Sequence, residues 1–232
     1  MMSNPEKNLR IDRTVSIRSG NVQLDGEVKV PEGATGLVLF AHGSGSSRHS
    51  PRNQFVAQVI REAGVGTLLF DLLTQQEEAE DRYTGHLRFD IGFLAERLVD
   101  ATRWITGQED TRDLHFGYFG SSTGAAAALI AAVKLSDILV AVVSRGGRPD
   151  LADESLPLVK APTLLIVGGD DDVVIRLNEE AYARLNCEKK LKIVPGATHL
   201  FEEQGTLEQV ASFASEWFKR KLQPQTLVQG QS

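Results

Sequence analysis

Cysteine is almost absent from this sequence: one residue, Cys187, in 232. That excludes an intrachain disulfide and a metal site built from several thiolates. A basic excess is absent too. Lys and Arg number 25 against 31 Asp and Glu, a formal net charge of −6. Nucleic acids and anionic membranes favour a basic face, so neither is expected as a partner. No apolar run approaches the roughly 20 residues that cross a bilayer. The opening, MMSNPEKNLRIDR, has no apolar signal core. These absences point to a soluble cytoplasmic protein. No internal repeat or linker stands out, so one domain is expected over 1–232, with 1–12 and 223–232 as flexible tails. What is present is apolar material: 41% of residues are hydrophobic, enough for a sizeable core.

Two stretches near the start alternate weakly, TVSIRS (14–19) and VQLDGEVKV (22–30). They read as an antiparallel pair turning at Gly20-Asn21. Six continuous apolar runs follow: GLVLFAHG, GTLLFDLL, LHFGYFG, ILVAVV, TLLIVGG and LKIVPG. Runs without alternation indicate strands buried on both faces. Helical patterns lie between them, at 54–63, 87–105, 123–135, 176–185 and 207–222. The expected class is α/β: a mostly parallel, doubly wound sheet led in by an antiparallel strand pair. The segment TQQEEAEDRYTGH (74–86) is the least regular. It is too short for a cap domain and reads as a solvated surface loop, the alternative being a pocket wall.

The stretch FGYFGSSTGAAAALI (116–130) passes from strand to helix with almost no loop. Gly120-Ser121-Ser122-Thr123-Gly124 fits the pattern Gly-x-Ser-x-Gly. So tight a turn strains its middle residue and leaves no room for a Cβ at the flanks. It also sets Ser122 at a helix N-terminus, where N–H groups and the dipole favour negative charge.

A serine hydroxyl needs a base to take its proton. Of five histidines, His199 follows the last strand, at the carboxyl edge of the sheet where open α/β sheets place their ligands. His115 opens a strand at the opposite edge and reads as structural. A carboxylate must hold the imidazole, and Asp170, Asp171 and Asp172 follow the preceding strand. At least two of these are expected to be plain solvated residues. Should all three be so, Glu77 or Glu78 would be next. The order serine, acid, histidine is that of α/β-hydrolases.

From LDGEVKVPEGATGLVLFAHGSGSS through FGSSTG and VGGDDDVV to GATHLF, nearly the whole chain resembles the α/β-hydrolases, and the dienelactone hydrolase-like group in particular. The resemblance implies a hydrolase fold without a large cap domain, and no cofactor or metal. The family pattern Gly-x-x-Asp-x-x-Val selects Asp171 as acid, with Ser122 as nucleophile and His199 as base. His42-Gly43-Ser44-Gly45 matches the family loop that supplies an oxyanion donor. The resemblance assigns that hole to the backbone N–H groups of Ser44 and Thr123, each worth roughly 2.7–4 kcal/mol. His42 then bonds backbone. Dienelactone hydrolases proper carry cysteine at the elbow. Ser122 there points to general ester hydrolysis, and Cys187 reads as a packed thiol.

Arg48, His49 and Arg52 follow the oxyanion loop, and Arg145 and Arg148 follow the run ILVAVV. If they face the pocket they favour anionic esters. The plain alternative is solvated loops with a local Arg–Asp pair. The activity expected is hydrolysis of small carboxylic esters or lactones through an acyl-enzyme. The alternatives are a thioesterase, a peptidase, or a ligand-binding protein without turnover on the same fold. Oligomeric state is not legible.

Overall fold

The computed structural model describes residues 8–223. Eight strands form one sheet: β1 (Leu9–Ser19), β2 (Val22–Pro31), β3 (Gly36–Ala41), β4 (Gly66–Phe70), β5 (His115–Ser121), β6 (Leu139–Arg145), β7 (Thr163–Gly168) and β8 (Lys189–Val194). Their spatial order is β1-β2-β4-β3-β5-β6-β7-β8. β1 pairs antiparallel with β2 and β2 with β4; every later pairing is parallel. Helices cover both faces, which is the α/β-hydrolase arrangement. β1 begins at Leu9, inside the stretch 1–12 expected as a tail. Most of the other expected tail, 223–232, lies outside the described residues, as do residues 1–7.

The continuous apolar runs are explained by β3. Leu37, Leu39 and Ala41 enter one core layer, while Val38 and Phe40 enter the other. Because successive side chains of a strand point to opposite faces, a strand covered on both sides has no polar position to spare. The first layer is closed by α3 (Ile91–Thr106) and α4 (Thr123–Lys134), with Leu94, Leu98 and Ala126 to Ala128. The second is closed by α1 (Pro51–Glu62) and α6 (Thr206–Lys221), with Val56, Ile60, Val210 and Phe218. Within the second layer Phe40 and Phe119 sit opposite each other on β3 and β5, ring centroids 4.8 Å apart. Such a pair is worth about 0.5–1.5 kcal/mol beyond its buried area.

Four elements differ from the sequence expectation. The segment 74–86 is not an irregular loop: α2 runs over Gln75–Thr84. The Thr74 side chain accepts from the Glu77 N–H at 3.1 Å, and the Glu77 carboxylate accepts from the Thr74 N–H at 2.8 Å. That reciprocal cap holds a helix whose residues are nearly all polar. β8 was expected to be buried on both faces, yet Lys192 and Ile193 are exposed. It ends the sheet, and its lysines discourage pairing with another chain. A 3₁₀ segment over Pro149–Leu158 was not anticipated. α5 (Asp172–Arg184) starts four residues earlier than its apolar pattern suggested. Among the described residues no helix is long and apolar enough to cross a membrane.

Candidate active site

Parallel strands all end at the same sheet edge. The residues that follow β3, β5, β7 and β8 therefore meet there, together with the last residue of β6, though they are far apart in sequence. Ser44, Ser122, Arg145 and His199 line one cavity of about 1110 Å³ at that edge.

Ser122 is the turn between β5 and α4. Its φ is 49° and ψ −124°, a conformation rare for a residue with a side chain. The flanking glycines are required by contact. A Cβ at Gly124 would stand 2.2 Å from the Ala41 carbonyl oxygen, and one at Gly120 would stand 2.5 Å from the Ala125 Cα. The Ser122 carbonyl accepts from the amides of Ala125 (3.1 Å) and Arg148 (3.0 Å). Backbone on both sides thus holds the strained turn. Both Ser121 and Ser122 line the cavity, but Ser122 is half-buried whereas Ser121 is only 3% exposed.

His199 Nδ1 donates to Asp171 Oδ2 at 2.7 Å. That bond leaves Nε2 as the nitrogen free to take a proton. Asp171 caps α5, and its side chain is 16% exposed. Asp170 and Asp172 are exposed, and neither side chain bonds His199. Glu77 is committed elsewhere, to its helix cap and to Arg97 Nη2 at 2.6 Å; Glu78 lines the cavity. The histidine loop is braced by Glu203, which accepts from the Thr198 N–H (3.0 Å) and hydroxyl (2.6 Å). Those bonds hold the Glu203 carboxyl below its ordinary range.

The Ser44 amide donates to Thr123 Oγ1 at 3.1 Å, drawing the loop after β3 onto the elbow. The Thr123 amide lies in the first turn of α4, where N–H groups lack a helical acceptor. His42 is buried, with Nε2 accepting from the Leu72 N–H (3.0 Å) and Nδ1 bonded to the Gly43 carbonyl (3.0 Å). Accepting at Nε2 requires the neutral ring, and burial pushes its pKa down. His42 thereby ties the end of β4 to the loop after β3. His115 opens β5, away from this edge.

The basic residues divide. Arg148 pairs with Asp150 through two bonds of 2.9 and 2.8 Å, the local pair given above as the plain alternative. Arg48 is tied to Asp71 by its amide and its guanidinium, although it lines the cavity. His49 lines it from an exposed position. Arg52 reaches Glu202 at 3.1 Å. Arg145 is 8% exposed and also lines the cavity. Sequence reasoning left open whether α2 forms a wall, but Thr74, Gln75, Glu78 and Arg82 of that segment line the cavity. The Thr74-x-x-Glu77 capping box was the signal that this segment was ordered. Cys187 is partly buried, and burial pushes its thiol pKa up, as for an unreactive side chain. Among the described residues no group of three or more His, Cys, Asp or Glu is arranged to hold a metal ion.

No protein-family model matches the chain. Among solved structures it is similar to the dienelactone hydrolase of Anabaena variabilis, with 59% identity, a TM-score of 0.90, and coverage of 92% of this chain and 99% of that one. A Xanthomonas campestris protein described as an α/β serine hydrolase without lid is 20% identical with a TM-score of 0.73, covers 93% and 97% of the two chains, and shares the fold. A Mycobacterium tuberculosis protein named "Putative phosphoribosyl transferase" is 56% identical over 207 residues, 89% of this chain and 46% of that protein. The chain therefore spans about half the length of the curated relatives it matches first. By its likeness to the Anabaena protein over almost all of both chains, it belongs to the dienelactone hydrolase-like family of α/β-hydrolases.

Proposed function

We propose that this chain hydrolyses small carboxylic esters or lactones through an acyl-enzyme on Ser122. The observation that carries the reading is the 2.7 Å bond between His199 and Asp171, made at the rim of the cavity that Ser122 enters from its strained turn. The Ser122 hydroxyl oxygen attacks the carbonyl carbon while His199 Nε2 takes its proton. The carbonyl π pair moves onto oxygen, and the amides of Ser44 and Thr123 receive that oxyanion. It replaces the Thr123 hydroxyl as the acceptor of the Ser44 amide. Collapse of the tetrahedral intermediate breaks the ester C–O bond, and His199 returns the proton to the leaving alkoxide. Water repeats the sequence on the acyl-enzyme and frees the acid. Asp171 keeps the proton on Nδ1 and stabilises the imidazolium.

Serine at the elbow supports general ester hydrolysis rather than dienelactone hydrolysis. The transferase name belongs to proteins about twice as long, while the elbow, acid and base are chemistry that this chain itself carries. Labelling with a fluorophosphonate, followed by a panel of p-nitrophenyl esters, tests the reading. Stoichiometric labelling and multiple turnover are expected. Labelling without turnover would make the chain a binding protein, and absence of both would overturn the proposal.

A further inference from the structure

Arg145 is the last residue of β6 and lines the cavity that Ser122 and His199 share. It is 8% exposed, and its buried Nε and Nη1 have no hydrogen-bond partner. No carboxylate lies within ion-pair distance among the described residues. The Arg52 Nε is likewise buried and unpartnered in the same wall. A buried, unpaired charge is costly, and a hydrocarbon side chain of similar size would fill the space more cheaply. Nor does the elbow need the guanidinium. Arg145 accepts the Ser122 N–H through its backbone carbonyl, at 3.4 Å, a contact any residue makes.

We propose that Arg145, with Arg52 beside it, is an anion subsite that selects esters carrying a phosphate group. The proposal rests on reading Ser122 as the nucleophile of this cavity. Burial, and then the charge of Arg52, pull the Arg145 guanidinium down to about 10, so it stays protonated at neutral pH. The wall holds four arginines, Arg48, Arg52, Arg82 and Arg145, against two carboxylates, Asp71 and Glu78. Arg48 is neutralised by Asp71. Arg52 meets only Glu202, whose side chain is 62% exposed, and a surface pair of that kind yields readily. Arg145 has nothing. A carboxylate brings one charge to this pair; a phosphate monoester brings nearly two, with three acceptor oxygens for two guanidinium groups. Apolar side chains in the lining are few, Pro51, Leu73, Ala79 and Leu200, which suits a polar substrate.

The test uses the full chain with Ser122→Ala, so that binding is read without turnover. Inorganic phosphate is titrated calorimetrically into this variant, and into the same variant carrying Arg145→Met or Arg52→Met. Saturable phosphate binding is expected, weakened about 30-fold or more by Arg145→Met and less by Arg52→Met. Acetate is the carboxylate arm and is expected to bind more weakly than phosphate. Equal phosphate affinity with and without Arg145→Met, tighter acetate binding, or no saturable phosphate binding would each overturn the proposal. If Arg145→Met does not fold, Arg52→Met decides by the same comparison. Phosphate binding in a protein that turns over no ester would strike the hydrolase reading and leave this site standing. Ester turnover without phosphate binding would do the reverse.

Discussion

His199 and Asp171 come from different loops, after β8 and after β7, and meet at 2.7 Å. The two neighbouring aspartates do not. Asp170 uses its amide to bond the Ala197 carbonyl (2.9 Å), and Asp172 opens α5, both with exposed side chains. One strand end thus supplies a test residue and two controls. Asp171→Asn is expected to lower turnover by about 10⁴-fold, because the amide reverses the hydrogen-bond demand on Nδ1. Asp170→Asn and Asp172→Asn are expected to stay within about tenfold, since they remove solvated charges. Steady-state kinetics of the three on one ester at one pH checks the assignment. An active Asp171→Asn beside an inactive neighbour would place the acid one residue away.

Ser122→Ala is expected to cost about 10³-fold or more in turnover and to abolish fluorophosphonate labelling. Ser121 also borders the cavity but is only 3% exposed, and it should carry no adduct. Peptide mapping of the adduct reads this directly, and an adduct on Ser121 would sink it.

Short acyl chains are the expected preference. The lining is mostly polar, and α2 covers the cavity with a single polar helix rather than a deep apolar tunnel. Rates on p-nitrophenyl esters are expected to fall beyond about C8, a length scaled from usual pocket sizes. Rates that climb past that length, with interfacial activation, would contradict it.

Gly124→Ala tests the packing of the elbow. The added methyl would meet main-chain oxygens of Ala41 and His42, at the end of β3, at 2.2 and 2.6 Å, so that backbone would have to shift. Overpacking of this kind costs about 3 kcal/mol, read as a lower midpoint in urea denaturation. Wild-type stability in this variant would show that the loop after β3 yields.

Asp81 anchors the C-terminal end of α2. It accepts from the amides of Leu87 (2.6 Å) and Arg88 (3.1 Å) and from Arg88 Nε (2.6 Å). Burial alone would push its carboxyl up. The Arg88 guanidinium and the two amides more than reverse that and hold it at about 2, against an ordinary 3.8. A depressed carboxyl contributes stability that is fully present above its unfolded pKa and is lost as pH falls through the folded one. Asp81→Asn is therefore expected to melt below wild type at pH 7, with the gap closing between pH 4 and pH 2. A gap that stays constant over that window would remove Asp81's charge from the account.

The strand runs, the helices between them and the turn at Gly20-Asn21 were legible in the chain, because burial on two faces and tight turns restrict residue type locally. So were the candidate residues of the elbow and the histidine loop. Asp171 was separable from Asp170 and Asp172 only by family pattern, since three adjacent carboxylates are chemically alike until α5 sets which one turns inward. The order of Thr74 to Thr84 was written in its capping box but obscured by a polar composition. β8 could not be placed at the sheet edge, because strand order depends on crossovers that local periodicity does not encode. Nor could Arg145 be told from Arg148. Arg145 ends β6 and Arg148 lies just beyond it, yet Arg148 turns to Asp150 while Arg145 is enclosed in the cavity wall. Sequence by itself determined which chemistry was available and which segments repeat a strand or helix period. Tertiary structure decided which side chains share that cavity, because only the parallel sheet brings strand ends so far apart in the chain to one edge.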